Sequence, residues 1–407
     1  MLLWLNAVQP PSVPARERIM TDKNTADIIV VGAGIAGCGA AFALADWDHE
    51  VMLLERAFPA SGPTGRSSAL CHAFYLMPEL QLLAKRGIEI LKAIPETTGE
   101  SVGWSEIGHL WCCGANAADD FRAAVGQVKA LGCEIEALPA SELSGLCPDF
   151  NFDGVELGVW EPTCGYADSY SAANALAKGA KDRGCDVRQN TVATRLLTKS
   201  GRITGVETDM GETIHAGTVL LAAGVWTRPL LQQVGVDLPI FIERHAIAVL
   251  DAPNYARRIL PVCWTDDILM NYGRPDGNNT IVLGTWAGGG TGVRHDQASR
   301  EERVTDPNNY QEGVETDDAV AIVESFLSRI PEIESCGIRP GYAGLYDMSP
   351  DDNPIIDAVP GTNGLFVICG SSGHGFKMGA GVGEAAARMA MGSKPEMLAP
   401  FAIDRFL

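Results

Sequence analysis

Three glycines and an acid are the first residues whose types and spacing could do chemistry. Gly32, Gly34 and Gly37 close the stretch Asp27-Ile-Ile-Val-Val-Gly-Ala-Gly-Ile-Ala-Gly37, and Glu55 stands 18 residues beyond the last of them. A Gly-x-Gly-x-x-Gly turn leaving an apolar β-branched run suits a pyrophosphate. The first glycine turns the chain, the second admits backbone to the phosphates, and the third lets the next helix close on the strand. Glu55 ends a second apolar run, where a carboxylate can accept both hydroxyls of an adenosine ribose. A second glycine-rich turn, from Gly370 to Gly383, carries His374 and Lys377 about 340 residues later. One short cofactor does not need two such turns. A long dinucleotide with a redox ring at its far end does, because a helix N-terminus stabilises the negative charge of a reduced isoalloxazine.

Those residues need elements to hold them. Ile28 to Val31 and Glu50 to Glu55 read as buried strands, and Cys38 to Ala45 is small and apolar enough to be the helix between them. Ser61-Gly-Pro-Thr-Gly-Arg-Ser-Ser68 is loop chemistry, able to wrap a cofactor with amides and hydroxyls. Helical spacing recurs over Leu80–Ile94, Asp119–Leu131, Tyr170–Arg183 and Ala319–Arg329. A hairpin is expected around Gly211, a buried strand from Thr218 ending at Gly224, and antiparallel strands from Phe241 to Trp286.

At 407 residues the chain exceeds the length at which single cores stop growing, so two domains are expected. A net charge of −20 without a Lys/Arg cluster argues against nucleic acid or an anionic membrane as partner. The uncharged run from Ile28 to Ala45 has the length of a membrane span, but its four glycines and its strand-turn-helix pattern exclude that reading. Eleven cysteines without Cys-x-x-Cys or regular spacing suggest neither a disulfide framework nor a zinc site, and the expected setting is the reducing cytoplasm. Met1-Leu-Leu-Trp-Leu5 lacks a basic flank and is soon broken by prolines, so residues 1–26 read as a disordered extension, with Met20 a candidate start. No paired carboxylates, Ser/His/Asp arrangement or metal-ligand spacing emerges, and no metal is expected. The lone histidines His72 and His245 need no functional explanation.

With these motifs in hand, the chain resembles the D-amino-acid-oxidase-like flavoprotein superfamily, which includes sarcosine oxidases, dimethylglycine dehydrogenases and glycine oxidase. The resemblance runs from Asp27 to the end and rests on the Gly32/Gly34/Gly37 turn with Glu55, Thr64-Gly-Arg-Ser-Ser68, Leu221-Ala-Ala-Gly-Val-Trp226, Tyr346-Asp-Met-Ser-Pro-Asp351 and Gly373-His-Gly-Phe-Lys377. It implies an α/β fold: a Rossmann-type FAD-binding domain (residues 27–95, 160–238 and 335–407) and a substrate domain with a mainly antiparallel sheet (residues 96–159 and 239–334). The implied FAD contacts are Gly32, Gly34, Ile35, Ala36, Gly37, Glu55, Arg56, Gly65, Arg66, Ser67, Ser68, Val192, Ala223, Gly224, Trp226, Gly373, His374, Gly375, Phe376 and Lys377. Lys377, Tyr346, Tyr272 and Trp286 are the implied substrate-side residues.

The pattern departs from its relatives in four places. Gly344 stands where members with covalent flavin have a cysteine, so noncovalent FAD is expected. Tyr346 occupies the position of the carboxylate-clamping arginine of amino-acid oxidases, and Cys71 that of the sarcosine-oxidase arginine. Val282 falls where sarcosine oxidases carry an oxygen-activating lysine, so the acceptor is oxygen or another electron carrier. The implied reaction is oxidation of the C–N bond of a small amine or amino acid, with a secondary or N-methylated amine favoured. The alternatives are a 2-hydroxy-acid or glycerol-3-phosphate-type dehydrogenase and an electron-transferring FAD subunit of a hetero-oligomer.

Overall fold

The computed structural model describes residues 24–286 and 303–407. Its organising sheet has six strands in the order Ile355–Ala358, Leu365–Cys369, Thr218–Leu221, Ile28–Val31, Val51–Leu54 and Asp186–Arg188, parallel except for the first. Ile28–Val31 lies at its middle and is buried throughout, as an apolar run covered on both faces should be. The helices Ile35–Asp46, Pro78–Thr98, Ser169–Asp182 and Gly375–Ala390 pack together on one face, where apolar side chains form the larger core. The antiparallel trio Ala193–Lys199, Arg202–Thr208 and Thr213–His215, with Gly211 in its turn at φ +76°, flanks the other face.

The two glycine-turn helices cross in near-backbone contact, and glycine makes that possible. A Cβ on Gly379 would stand 2.3 Å from Ile35 Cγ2, one on Gly383 2.2 Å from Ala36 O, and one on Gly39 2.8 Å from Ala380 Cα. Small residues thus bring the N-termini of both helices to one cavity. Neither first turn carries an acid to compete for its amides.

The second sheet runs Arg303–Val304, Phe241–Asp251, Thr280–Thr285, Asn271–Asp276, Cys263–Asp266, His109–Cys113, Leu157–Glu161 and Glu136–Pro139, with Gly337–Met348 also pairing Phe241–Asp251. The pairing is antiparallel except between Cys263–Asp266 and His109–Cys113. Gly337–Met348 and the whole of Leu157–Glu161 therefore stand in this sheet. We propose that the domain division be drawn by sheet membership, which moves residues 160–161 and 337–348 out of the nucleotide domain. The buried pair Arg329–Asp266 at 2.8 Å fastens the helix Thr316–Leu327 to the sheet's far side.

Residues 24–26, expected to belong to a disordered N-terminal extension over residues 1–26, are instead paired. Ala26 donates to His215 O and His215 to Asn24 O, so residues 24–26 continue the hairpin's pairing, while residues 1–23 lie outside the described residues. All eleven cysteines are free. Among the described residues no helix is long and apolar enough to cross a membrane.

Candidate functional site

A cavity of about 760 Å³ runs between the sheets, from the end of Val51–Leu54 to the start of the terminal helix. At its nucleotide end Gly32 has φ +101°, and a Cβ there would meet Ala222 O at 2.4 Å. Glu55 is buried, with Oε2 accepting from Ala33 N (2.8 Å) and Oε1 from Ala57 N (3.0 Å) and Ser61 Oγ (3.2 Å). Those bonds fix the carboxylate at the cavity wall and use three of its roughly four acceptor sites, leaving one for a ribose hydroxyl. Gly34, Ile35 and Ala36 begin the first helix against the cavity, and Thr64 Oγ1 accepts from Ile35 N at 3.1 Å.

The remaining FAD expectations also fall on this wall, with two exceptions. Ser67, Ser68, Val192, Ala223, Gly224, Trp226 and the run Gly373 to Lys377 line it. Gly37 and Gly65 do not. Each is a packing glycine, since a Cβ would lie 1.9 Å from Gly32 O at the first and 2.2 Å from Ala60 O at the second. Two arginines line the cavity with their guanidinium groups committed to the protein. Arg56 stacks on Trp226 at 4.4 Å and donates to Asn308 Oδ1; Arg66 donates to Ser61 O and pairs with Glu312.

At the other end the sheet supplies aromatic rings. Tyr272 lies flat over Gly284, where a Cβ would meet its ring at 2.4 Å, and stacks with Trp286 at 5.7 Å. Tyr346 approaches Tyr272 hydroxyl to hydroxyl at 3.4 Å, and its ring edge rests against Gly373 of the second turn. Burial pushes both phenols up, so both remain protonated at neutral pH. The indole nitrogens of Trp286 and Trp111 are buried at this wall without a hydrogen-bond partner among the described residues. Such donors fit a site completed by a polar cofactor or substrate.

Lys377, in the first turn of the terminal helix, is 9% exposed. No hydrogen bond or ion pair engages its ammonium among the described residues; the Tyr75 ring lies 5.6 Å away. Desolvation lowers it to about 8, opposed by the charge of Glu161. Cys71, where the resemblance implies an arginine in relatives, is wholly buried, and burial pushes its thiol up to about 12, so it offers no charge there.

Some neighbours had no sequence signal. His245 is one: its ring stacks on Tyr346 at 3.9 Å, and Nε2 lies 3.3 Å from buried Glu243 Oε2. His72, His109 and Glu161 form another group, their ligand-type atoms within 4.8 Å of one another. The two imidazoles are stacked, 4.5 Å apart and 18° from parallel, so their in-plane lone pairs run side by side instead of converging on an ion. One nitrogen of each ring is hydrogen-bonded: His72 Nδ1–H donates to Phe74 O, and His109 Nε2 pairs with Thr265 Oγ1. A charged residue closing the apolar strand Leu157–Glu161 was the available hint.

Asp347 was also missed. Its Oδ2 accepts from Gly370 N at 2.7 Å, tying the aromatic sheet to the second glycine turn, and burial pushes the carboxyl up to about 6. The folded value lies above the unfolded one of about 3.9, so the folded chain binds the extra proton between them. The stability of the cofactor-free protein should therefore decline from about pH 4 to about pH 6, by about 2–3 kcal/mol from this group. Urea unfolding across that window checks it, and Asp347→Asn should remove that part of the slope.

Comparison with known proteins agrees with this geometry. The family model for FAD dependent oxidoreductases, DAO, matches residues 27–389. Human mitochondrial sarcosine dehydrogenase is 27% identical over 92% of this chain, which spans 40% of that protein's length. The beta subunit of sarcosine oxidase from Arthrobacter sp is 27% identical over 94% of this chain and 92% of its own. N-methyl-L-tryptophan oxidase of Yersinia pestis (strain Pestoides F) is likewise 27% identical over 93% and 99%. Among solved structures, L-proline dehydrogenase from P. horikoshii superposes with a TM-score of 0.82 at 24% identity, covering 94% of this chain and 98% of its own. A wall built around two glycine turns, Glu55 and the second helix N-terminus fits FAD, and the chain belongs to the DAO family of FAD-dependent oxidoreductases.

Proposed function

We propose that this chain oxidises the C–N bond of a small amino acid, with a secondary or N-methylated amine preferred. The observation that carries the reading is Lys377, a buried ammonium with no partner among the described residues, at the aromatic end of the cavity. A buried cation without a counter-charge is costly, and a substrate carboxylate supplies one. Tyr272, Trp286 and Tyr346 then bound the space left for the amine and its substituent. Their faces favour a cationic or methylated nitrogen over a hydroxyl. Bound FAD supplies the hydride acceptor; the residues here anchor the carboxylate, orient the α-carbon and exclude water.

The position of Gly344 supports noncovalent FAD, because it presents no nucleophile and its side faces Arg66 Cβ. Acid precipitation should leave the yellow colour in the supernatant. Val282, buried in Thr280–Thr285, supports an electron acceptor other than oxygen. Eleven free cysteines support a reducing compartment, the cytoplasm.

The test is anaerobic mixing of the yellow protein with sarcosine, other N-methylated amino acids, D- and L-amino acids and 2-hydroxy acids while flavin absorbance is followed. Bleaching by an N-methylated or secondary amino acid is expected, with slow recovery in air. Bleaching by a hydroxy acid alone would overturn the proposal.

A further inference from the structure

A row of three side chains leads away from the cavity beside Lys377. Thr265 stands at the wall between its sheet partners Trp111 and Tyr272, both of which also line the cavity. Its Oγ1 lies 2.9 Å from His109 Nε2. On the ring's other side, Nδ1 makes no hydrogen bond among the described residues and faces Glu161 Oε2 at 3.8 Å. Backbone amides of Ala73 (2.8 Å) and Phe74 (3.4 Å) orient the Glu161 carboxylate, and His109 and Glu161 are direct cross-strand partners. Both are wholly buried. Hydroxyl at the cavity, imidazole behind it and oriented carboxylate behind that is an arrangement for taking up a proton.

Resting on the C–N reading above, we propose that Thr265, His109 and Glu161 take the proton from the substrate's ammonium before its C–H bond breaks. The N–H bond of the bound ammonium breaks as its proton passes to Thr265 Oγ1. The threonine's own hydroxyl proton moves to His109 Nε2. One positive charge thereby shifts from substrate nitrogen to imidazole, opposite the Glu161 carboxylate, and no electrons are exchanged. The freed nitrogen lone pair can then form C=N as hydride leaves the α-carbon. Thr265 is the member in contact with the amine; His109 and Glu161 act through it.

The surroundings of His109 couple this row to the carboxylate anchor. Its ring faces Glu161 from one neighbouring strand and Thr265 and Cys263 from the other, His72 stacks on it from the loop before Pro78–Thr98, and Lys377 acts from the terminal helix. Burial holds its imidazole below the usual histidine range, Glu161 opposes that, and the Lys377 charge deepens it. A substrate carboxylate that neutralises Lys377 lifts this last effect. Binding at one end of the substrate therefore raises the basicity waiting at the other.

The experiment is stopped-flow flavin reduction of the holoenzyme, without oxygen, from pH 5.5 to 10 with the amine that bleaches it best. Thr265→Val, close to isosteric, should slow reduction about 10²-fold at pH 7 and move the profile up by a pH unit or more. Its rate at high pH, where free amine is supplied by solution, should approach wild type. An unshifted profile, or a uniform loss at every pH, would overturn the relay while leaving the C–N reading intact. Failure of every amine to bleach wild type would remove both. A readout independent of turnover is imidazole ¹⁵N NMR of the full chain, with His109 assigned through His109→Gln. The proton should reside on Nδ1, and a proton on Nε2 would exclude acceptance from Thr265.

Discussion

Gly37→Ala should yield a colourless protein that fails to retain FAD. The position does not touch the cavity, so the effect comes through backbone. A Cβ there would lie 1.9 Å from Gly32 O and 3.3 Å from Ala222 Cβ, neither of which is the end of a flexible side chain. The helix Ile35–Asp46 must lift off the strand it follows, taking with it the amides of Gly34, Ile35 and Ala36. Overpacking of a tight contact costs about 1–3 kcal/mol, and here the misplaced atoms are the cofactor-binding ones. Absorbance at the flavin band after purification, compared with a thermal melt, separates the two consequences. The expected pattern is a near-total loss of bound FAD with a melting point lowered by several degrees (about 2–4 °C per kcal/mol for large domains). Full FAD occupancy in Gly37→Ala would contradict the assignment of this turn.

Lys377→Met should lower kcat/KM for the best amino acid about 10- to 150-fold, the equivalent of a charged hydrogen bond of about 1.5–3 kcal/mol. Most of the loss should appear in KM, because the carboxylate is bound alike before and during hydride loss. A decarboxylated amine of the same shape should lose little. The wild-type pH dependence carries the sign. Lys377 is lowered to about 8, so it is cationic below that and neutral above it. KM for a carboxylate substrate should therefore rise as pH passes about 8, and Lys377→Met should flatten that rise. For stability the sign is reversed: between pH 8 and the unfolded value of about 10.4 the unfolded chain binds more protons, so raising pH through that window stabilises the cofactor-free protein. Steady-state kinetics from pH 7 to 9.5, with FAD saturating, provide the check.

Much of the nucleotide half was legible because its requirements are local. Gly32, Gly34 and Gly37 sit in one turn, Glu55 ends the next strand, and the residues between them have the composition of a buried strand and a small-residue helix. The second turn, ending at Lys377, was visible for the same reason. Local sequence also separated strand-rich from helix-rich stretches. It gave no sign that residues 24–26 pair with His215 or that Gly337–Met348 pairs with Phe241–Asp251, because pairing is decided by distant chain.

The substrate end shows the difference most sharply. Tyr272, Trp286 and Tyr346 could be placed near the site only through resemblance, since an aromatic residue in a strand is as well suited to a core. What assembles them is the seating of rings on glycine backbone from elsewhere in the chain, Tyr272 on Gly284 and Tyr346 against Gly373. Thr265, His109 and Glu161 lie on three strands drawn from residues 109 to 265, with no motif to join them. By itself the sequence determined the cofactor class, the fold class and a cation in the second glycine turn, because each depends on residues within a few turns of chain. The tertiary structure alone decided that this cation is buried without a partner among the described residues and that a hydroxyl, an imidazole and a carboxylate stand in line beside it. Burial and cross-strand register are properties of packed sheets, which no local stretch of sequence contains.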